Sequence, residues 1–166
     1  ERVMVHVKTL VVYYSRTGNT KNIGEEIAAA LKADVEELKD GKSRRGPIGF
    51  LMAGREAMKK VPVELEPLKH DPAAYDVVVV GTPVWASTVC SPVRTFLERN
   101  RAALKKVAWF CTSGGEDPAG AEKAFAAMTE ASGLTPATTM GLGRVSIKRD
   151  HSQQLAAFAA ALSAHR

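Results

Sequence analysis

The chain reads as an open α/β sheet of five strands flanked by helices, and three observations lead there. Apolar runs at Val11–Tyr14, Val77–Val80 and Val107–Cys111 are continuous rather than alternating, as in strands of a parallel sheet buried on both faces. Helical patterns follow these runs, giving the β-α succession of a crossover fold. Each run stops abruptly in small, hydroxyl-bearing or glycine-rich residues: Ser15–Thr20, Thr82–Thr88 and Thr112–Asp117. With 166 residues, 45% hydrophobic and 25% charged, the chain fits one globular domain spanning 1–166.

Taken in order, residues 3–14 hold the first strand, centred on Val11–Tyr14. A helix from about Asn19 to Lys32 carries Ile23, Ile27 and Leu31 at a spacing of four. Ala33–Leu38 alternates and predicts a second strand. Residues 39–60 are broken by Gly41, Gly46, Pro47, Gly49 and Gly54, and Phe50–Lys60 suits a short helix with Phe50, Ala53 and Ala57 on one face and Arg55 and Lys59 on another. The segment is rich in cations (Lys39, Lys42, Arg44, Arg45, Arg55, Lys59 and Lys60). Two readings stand: a solvated connection over the sheet edge, or a basic rim beside a bound anion or acidic partner.

Pro62, Pro67 and Pro72 make 61–74 an irregular linker. Tyr75–Gly81 is the clearest buried strand. A helix follows from about Ser91 to Asn100, with Pro92 in its first turn and Val93, Phe96 and Leu97 facing the core. Val107–Cys111 is the fourth strand, and an Ala-rich helix runs from about Ala119 to Ser132. Leu134–Leu142 is the last strand, weakened by Pro136. Asp150–Ala164 closes the chain as a helix with Leu155, Phe158, Ala159 and Leu162 as its packing stripe.

Ligands of such sheets bind beyond the carboxyl ends of the strands, so the three strand-end loops converge on one expected site. In the first, Ser15, Thr17 and Thr20 offer hydroxyls and Asn19 an amide, while Gly18 lets backbone N–H groups turn inward. No lysine is placed to grip a polyphosphate, and neither G-x-x-x-x-G-K-[ST] nor G-x-G-x-x-G is present. A neutral donor nest suits a terminal phosphomonoester; the alternative is an ordinary Ser/Thr helix cap. In the second loop, Trp85 follows Pro83 and is expected near the surface, where an indole can stack on a planar ring. Its alternative is a Trp covering the sheet edge. In the third, Gly114 and Gly115 let a ligand approach the backbone, and Thr112 and Ser113 offer hydrogen bonds. Glu116 and Asp117 read as caps of the following helix. Tyr14 and Trp109 read as core.

Several function classes find no support. His6, His70, His151 and His165 are scattered without metal-ligand spacing. No G-x-S-x-G elbow is present. Cys90 and Cys111 lack a phosphatase loop and read as free buried thiols. A net charge of +5 without interleaved aromatics is weak evidence for nucleic acid. No segment is long and apolar enough to span a membrane, and Glu1-Arg2-Val3-Met4 lacks the apolar core of a signal peptide, so a cytoplasmic setting is expected.

Tyr14-Ser15-Arg16-Thr17-Gly18-Asn19-Thr20, Gly81-Thr82-Pro83-Val84-Trp85, Pro92 with Phe96-Leu97, and Thr112-Ser113-Gly114-Gly115 together resemble the short-chain, FMN-binding flavodoxin-like family, over most of the chain. The resemblance implies a three-layer sandwich with a five-stranded parallel sheet in the order 2-1-3-4-5. It implies that Ser15, Thr17, Gly18, Asn19 and Thr20 wrap the FMN phosphate, with Arg16 at a variable position that often contributes only its backbone. Thr82, Pro83, Val84, Trp85 and Ala86 would border the ribityl chain and the ring, and Thr112, Ser113, Gly114 and Gly115 the other side. The implied function is electron transfer with a redox partner protein or a small-molecule electron donor or acceptor. The alternative is an NAD(P)H-dependent quinone or flavin reductase. Pure electron shuttles of this family are strongly acidic, and this chain is basic. A basic rim would ease reduction of a bound flavin and attract acidic partners or anionic substrates such as NADPH.

Overall fold

The computed structural model describes residues 7–41, 44 and 46–163. The first strand, β1, is Thr9–Tyr13, and α1 (Asn19–Leu31) and β2 (Asp34–Glu37) follow. Then come α2 (Gly46–Lys59), β3 (Val77–Trp85), β4 (Thr88–Val89) and α3 (Ser91–Arg99). The chain continues with β5 (Lys106–Thr112), α4 (Pro118–Ser132), β6 (Thr139–Leu142), α5 (Arg144–Lys148) and α6 (Ser152–Ser163). Two single 3-10 turns, Pro72–Ala74 and Arg101–Ala103, complete the connections.

Five strands form a parallel sheet in the order β2-β1-β3-β5-β6. This is the 2-1-3-4-5 order expected, with β4 an additional antiparallel stub on β3. In register, Val12 stands beside Val80 and Val80 beside Trp109. Successive residues point to opposite faces, so each strand feeds two cores. Leu10, Val12, Val78, Val80 and Trp109 pack with Val93, Phe96, Leu97 and Met128 of α3 and α4. Val11, Tyr13, Val79 and Phe110 pack with Ile23, Ile27, Phe158 and Leu162 of α1 and α6. Burial on both faces is why these strands read as unbroken apolar runs. Each large core side chain contributes roughly 1.5–3 kcal/mol in removing apolar surface from water.

Some boundaries differ from the sequence reading. The last strand begins at Thr139 rather than near Leu134, because Pro136 cannot donate to the ladder. The stretch after it holds a separate short helix, α5, that the sequence did not announce. The linker at 61–74 is held down by the buried carboxylate of Glu36, which accepts from the backbone N–H groups of Lys69 and His70 at 2.9 and 2.8 Å. Helix α2 is longer than expected and buries Gly49, Ala53 and Ala57. Phe50, expected on the same face as Ala53 and Ala57, is instead 58% exposed. The start of the first expected strand, residues 3–6, together with His6, Lys42, Arg45, His165 and the last residue of the closing helix, lies outside the described residues.

Candidate functional site

The loop after β1 is built around Gly18 and Ser15. Gly18 takes φ +106°, which only glycine adopts without strain, and so turns the chain into α1. The Ser15 hydroxyl oxygen accepts from the N–H groups of Gly18 at 3.0 Å and Lys21 at 3.2 Å. Ser15 therefore does cap the helix, from outside it. None of these bonds uses the N–H groups of Thr17, Asn19 or Thr20, and among the described residues none of the three has a hydrogen-bond acceptor. Thr20 and Thr112 share a buried hydrogen bond of 2.8 Å between their hydroxyls, joining the first loop to the third.

The second loop is not a loop. β3 runs on through Trp85 and turns back through Ala86 and Ser87, so that Trp85 pairs with Thr88 and Val84 with Val89. Ala86 and Ser87 have φ of 52° and 59°, the left-handed pair of a two-residue hairpin turn. Non-glycine residues there cost roughly 1 kcal/mol each. The base of the arm is fixed by Thr82, whose hydroxyl accepts from the Cys90 N–H at 3.0 Å and donates to the Pro83 carbonyl.

Trp85 is where expectation and structure part. It is only 5% exposed, covered by its neighbours and open to solvent only along the cleft and the cavity that it lines. The Tyr14 ring meets it edge-on with centroids 5.5 Å apart, and the Arg44 guanidinium lies over it at 5.4 Å. Arg44 is itself buried. It donates to Asp40 at 2.6 and 3.1 Å, to both Glu56 oxygens at 3.3 Å, and to the Tyr14 hydroxyl at 3.0 Å. Burial works against its charge, but the bonds to Asp40 and Glu56 more than offset that and hold its pKa above the ordinary value. The Tyr14 hydroxyl is pushed up by burial, against the pull of Arg44. Arg44 is thus an internal tie rather than part of a basic rim. Lys39, Arg55, Lys59 and Lys60 are exposed, and Lys60 pairs with Glu130 at 3.4 Å.

The strand ends meet at one cleft of about 380 Å³. Ser15, Arg16, Thr17, Asn19 and Thr20 line it with Pro83, Val84, Trp85, Thr112, Ser113 and Gly114. Of the other expected residues, Gly18 shapes the turn, Thr82 is wholly buried under the arm, Ala86 faces a neighbouring cavity, and Gly115 lines a separate depression with Glu116. Two further residues join the cleft, Phe50 and Arg144. Phe50 reaches it from α2 and lies under the Arg16 guanidinium at 5.3 Å. Arg16 Nη1 also donates to the Arg44 carbonyl at 3.3 Å, so its side chain ties the first loop to the 44–50 segment. Arg144 follows β6, whose carboxyl end lies at the same sheet edge; that position was the available sequence signal.

Glu116 was expected to cap the helix next to it. Asp117 does so, accepting from Ala119 N–H at 3.0 Å. Glu116 instead reaches α5, accepting from the N–H groups of Val145 and Ser146 and from the Ser146 hydroxyl at 2.6 Å. These bonds hold its carboxyl below the ordinary range. The approach requires Gly143, since any β-carbon there would collide with Glu116 and the Gly115 carbonyl. The result fixes Arg144 beside the cleft.

Other chemistry is weak. Cys90 and Cys111 are buried and free, and burial pushes both thiols up to about 12, so neither is a nucleophile near neutral pH. Among the described residues there is no grouping that could hold a metal ion, and no helix is long and apolar enough to cross a membrane.

A family model described as Flavodoxin matches residues 53–151, more than half of the chain. The chain belongs to the flavodoxin family. The match includes the arm and the third loop and begins after the Ser15–Thr20 loop. Among solved structures, this flavodoxin-family chain is similar to a protein from Bacteroides eggerthii DSM 20697, with a TM-score of 0.74 and 22% identity over 96% of this chain and 99% of that one. It is also similar to a flavoprotein from Lactobacillus acidophilus NCFM, solved in complex with FMN, with a TM-score of 0.63 and 23% identity over 82% of this chain and 92% of that one. The two-electron reduced flavodoxin of Megasphaera elsdenii is 26% identical, with a TM-score of 0.56, over 93% of this chain and 99% of that one. No curated protein sequence matches the chain.

Proposed function

We propose that the chain is a single FMN-binding domain that holds the cofactor non-covalently and passes electrons between redox partners. The observation that carries this is the convergence of three strand ends on one cleft at the point where the strand order reverses between β1 and β3. The residues fit a flavin mononucleotide. The N–H groups of Thr17, Asn19 and Thr20, without an acceptor among the described residues, stand at a helix start beside the cleft and suit a phosphate. The charged residues among the cleft's lining are Arg16 and Arg144, both cations, which suit a dianion. The Val84–Trp85 arm on one side and Ser113–Gly114 on the other suit a flat ring.

When bound, FMN supplies the redox chemistry. The chain's own part is to bind and to shape. The first loop holds the anion, Thr20 and Thr112 keep two loops in register, and Arg44 with Tyr14 fixes the arm through Trp85. No side chain is assigned as a catalytic acid or base. Titrating the purified protein with FMN, followed by flavin fluorescence and absorbance, tests the reading. Saturable one-to-one binding supports it, and no binding to folded protein overturns it.

A second reading is favoured by one observation. The cleft opens beside an apolar cavity carrying Arg55 and Lys59, which gives a small-molecule donor or acceptor room next to the cofactor. Direct bleaching of the flavin on anaerobic mixing with NADPH would make the protein a reductase; bleaching only with a separate reductase would make it a carrier.

A further inference from the structure

Helix α2 is inverted in size. It buries Gly49, Ala53 and Ala57 and turns Phe50, Leu51 and Met58 outward at 58, 71 and 71% exposure. An amphipathic helix placed only for stability would bury the large side chains instead. The outward residues are not scattered. Together with Gly54 they form one wall of a cavity of about 450 Å³, and Val84, Trp85 and Ala86 of the hairpin arm form the other. At Gly54 the walls draw close, since a β-carbon there would touch the Ala86 methyl at 3.9 Å. A helix facing a β-arm across such a gap makes an apolar slot, with two aromatic residues, Phe50 and Trp85, in its walls.

Charge narrows the choice of occupant. The charged lining residues are Arg55 and Lys59, four apart on α2, and among the described residues no carboxylate lines the cavity. Position narrows it further. Phe50, Val84 and Trp85 line this cavity and the cleft alike, so whatever enters the slot lies against the wall of the cofactor site.

We propose that this slot binds a flat aromatic anion, such as a quinone bearing a sulfonate or carboxylate. Its role as the docking place of a small-molecule redox partner rests on the FMN reading; the binding itself does not. Apolar contact with Phe50, Leu51, Met58 and Val84 supplies affinity, and Arg55 and Lys59 select the sign of the charge.

The test is titration calorimetry of the full chain, saturated with FMN, against anthraquinone-2-sulfonate and the uncharged 2-(hydroxymethyl)anthraquinone. One-to-one binding of the sulfonate is expected. Gly54→Leu fills the slot at a helical position where leucine is the better helix former, so the fold should survive, and it should weaken both compounds at least about tenfold. The double variant Arg55→Glu with Lys59→Glu should weaken only the sulfonate, again about tenfold. No binding to protein shown folded by circular dichroism overturns the proposal, as does binding indifferent to Gly54→Leu or to charge reversal. Sedimentation showing a dimer that Gly54→Leu dissociates, with no quinone bound, gives the face to a second copy and also overturns it. FMN uptake is read by absorbance on the same samples. A chain that takes no FMN yet passes the quinone tests keeps the slot and loses the redox role. A chain that takes FMN and fails them loses the slot alone.

Discussion

The two sides of the Val84–Trp85 arm are built on opposite principles. On the side of the first loop, the surface is made of hydroxyls, backbone N–H groups and two arginines, tied by short internal bonds such as that between Thr20 and Thr112. On the side of α2, it is made of large exposed apolar side chains with two cations and little that ties them down. On the proposed reading, the first surface would take one ligand of fixed form, and the second would select by apolar contact and charge. The pairing of a rigid polar nest with a permissive apolar slot is what a protein needs if its cofactor is constant and its partner is not.

The comparison turns on Arg44, which anchors the arm from the α2 side, so its loss should have the largest effect. Arg44→Met leaves Asp40 and Glu56 without it and should cost about 3–5 kcal/mol in urea unfolding. It should also loosen Trp85, seen as a red-shifted tryptophan emission. A stability change under about 1 kcal/mol would mean that the tie is ornamental. Next comes the rigid side. Gly18→Val forces a branched residue to φ +106° and should weaken FMN binding about tenfold to a hundredfold, with far less effect on quinone binding in the slot. Equal losses at both would erase the distinction drawn between the two surfaces.

The smallest effect concerns the contact between α6 and α1 and serves as the control. His151, at the start of α6, bonds Glu26 of α1 at 3.0 Å. Burial lowers its pKa, but Glu26 and neighbouring carbonyls raise it further, so the net value stands above the ordinary 6.5. A raised folded pKa means that the contribution is complete below the unfolded value and fades as pH rises through the folded one. Stability should therefore decline by less than about 1 kcal/mol as pH rises from below 6.5 through the raised folded value, and Glu26→Gln should flatten that slope. Binding at either surface should not follow it.

Much of the first surface was legible in the sequence, because it is local. Ser15 to Thr20 are contiguous, their donors and their glycine can be counted, and the strand before them announces itself by its apolar run. The second surface was not, because its determinants come from far apart. Trp85 looked exposed on the strength of Pro83 and a strand end; what buries it is Tyr14 and Arg44, distant in sequence. Ala86 and Ser87 carry no turn signal, yet adopt left-handed angles because the arm pairs with Thr88 and Val89. Phe50 and Arg144 were missed for related reasons. Glycines broke the pattern around one, and the other follows a strand cut short by Pro136 and is held by a cap reaching from Glu116.

β3 is the longest strand and lies in the middle of the sheet, with β1 on one side and β5 on the other. Its last residues leave the sheet and become the partition between the two surfaces. The partition is therefore a cantilever clamped in the hydrophobic core. A change in packing at Val78 or Val80, on the same strand as the tip, should therefore shift the tip, which Val78→Ala would test through FMN affinity and tryptophan emission together. Core substitutions that leave the fold intact should alter both ligand surfaces at once, making the interior of this protein a tuning element for its exterior.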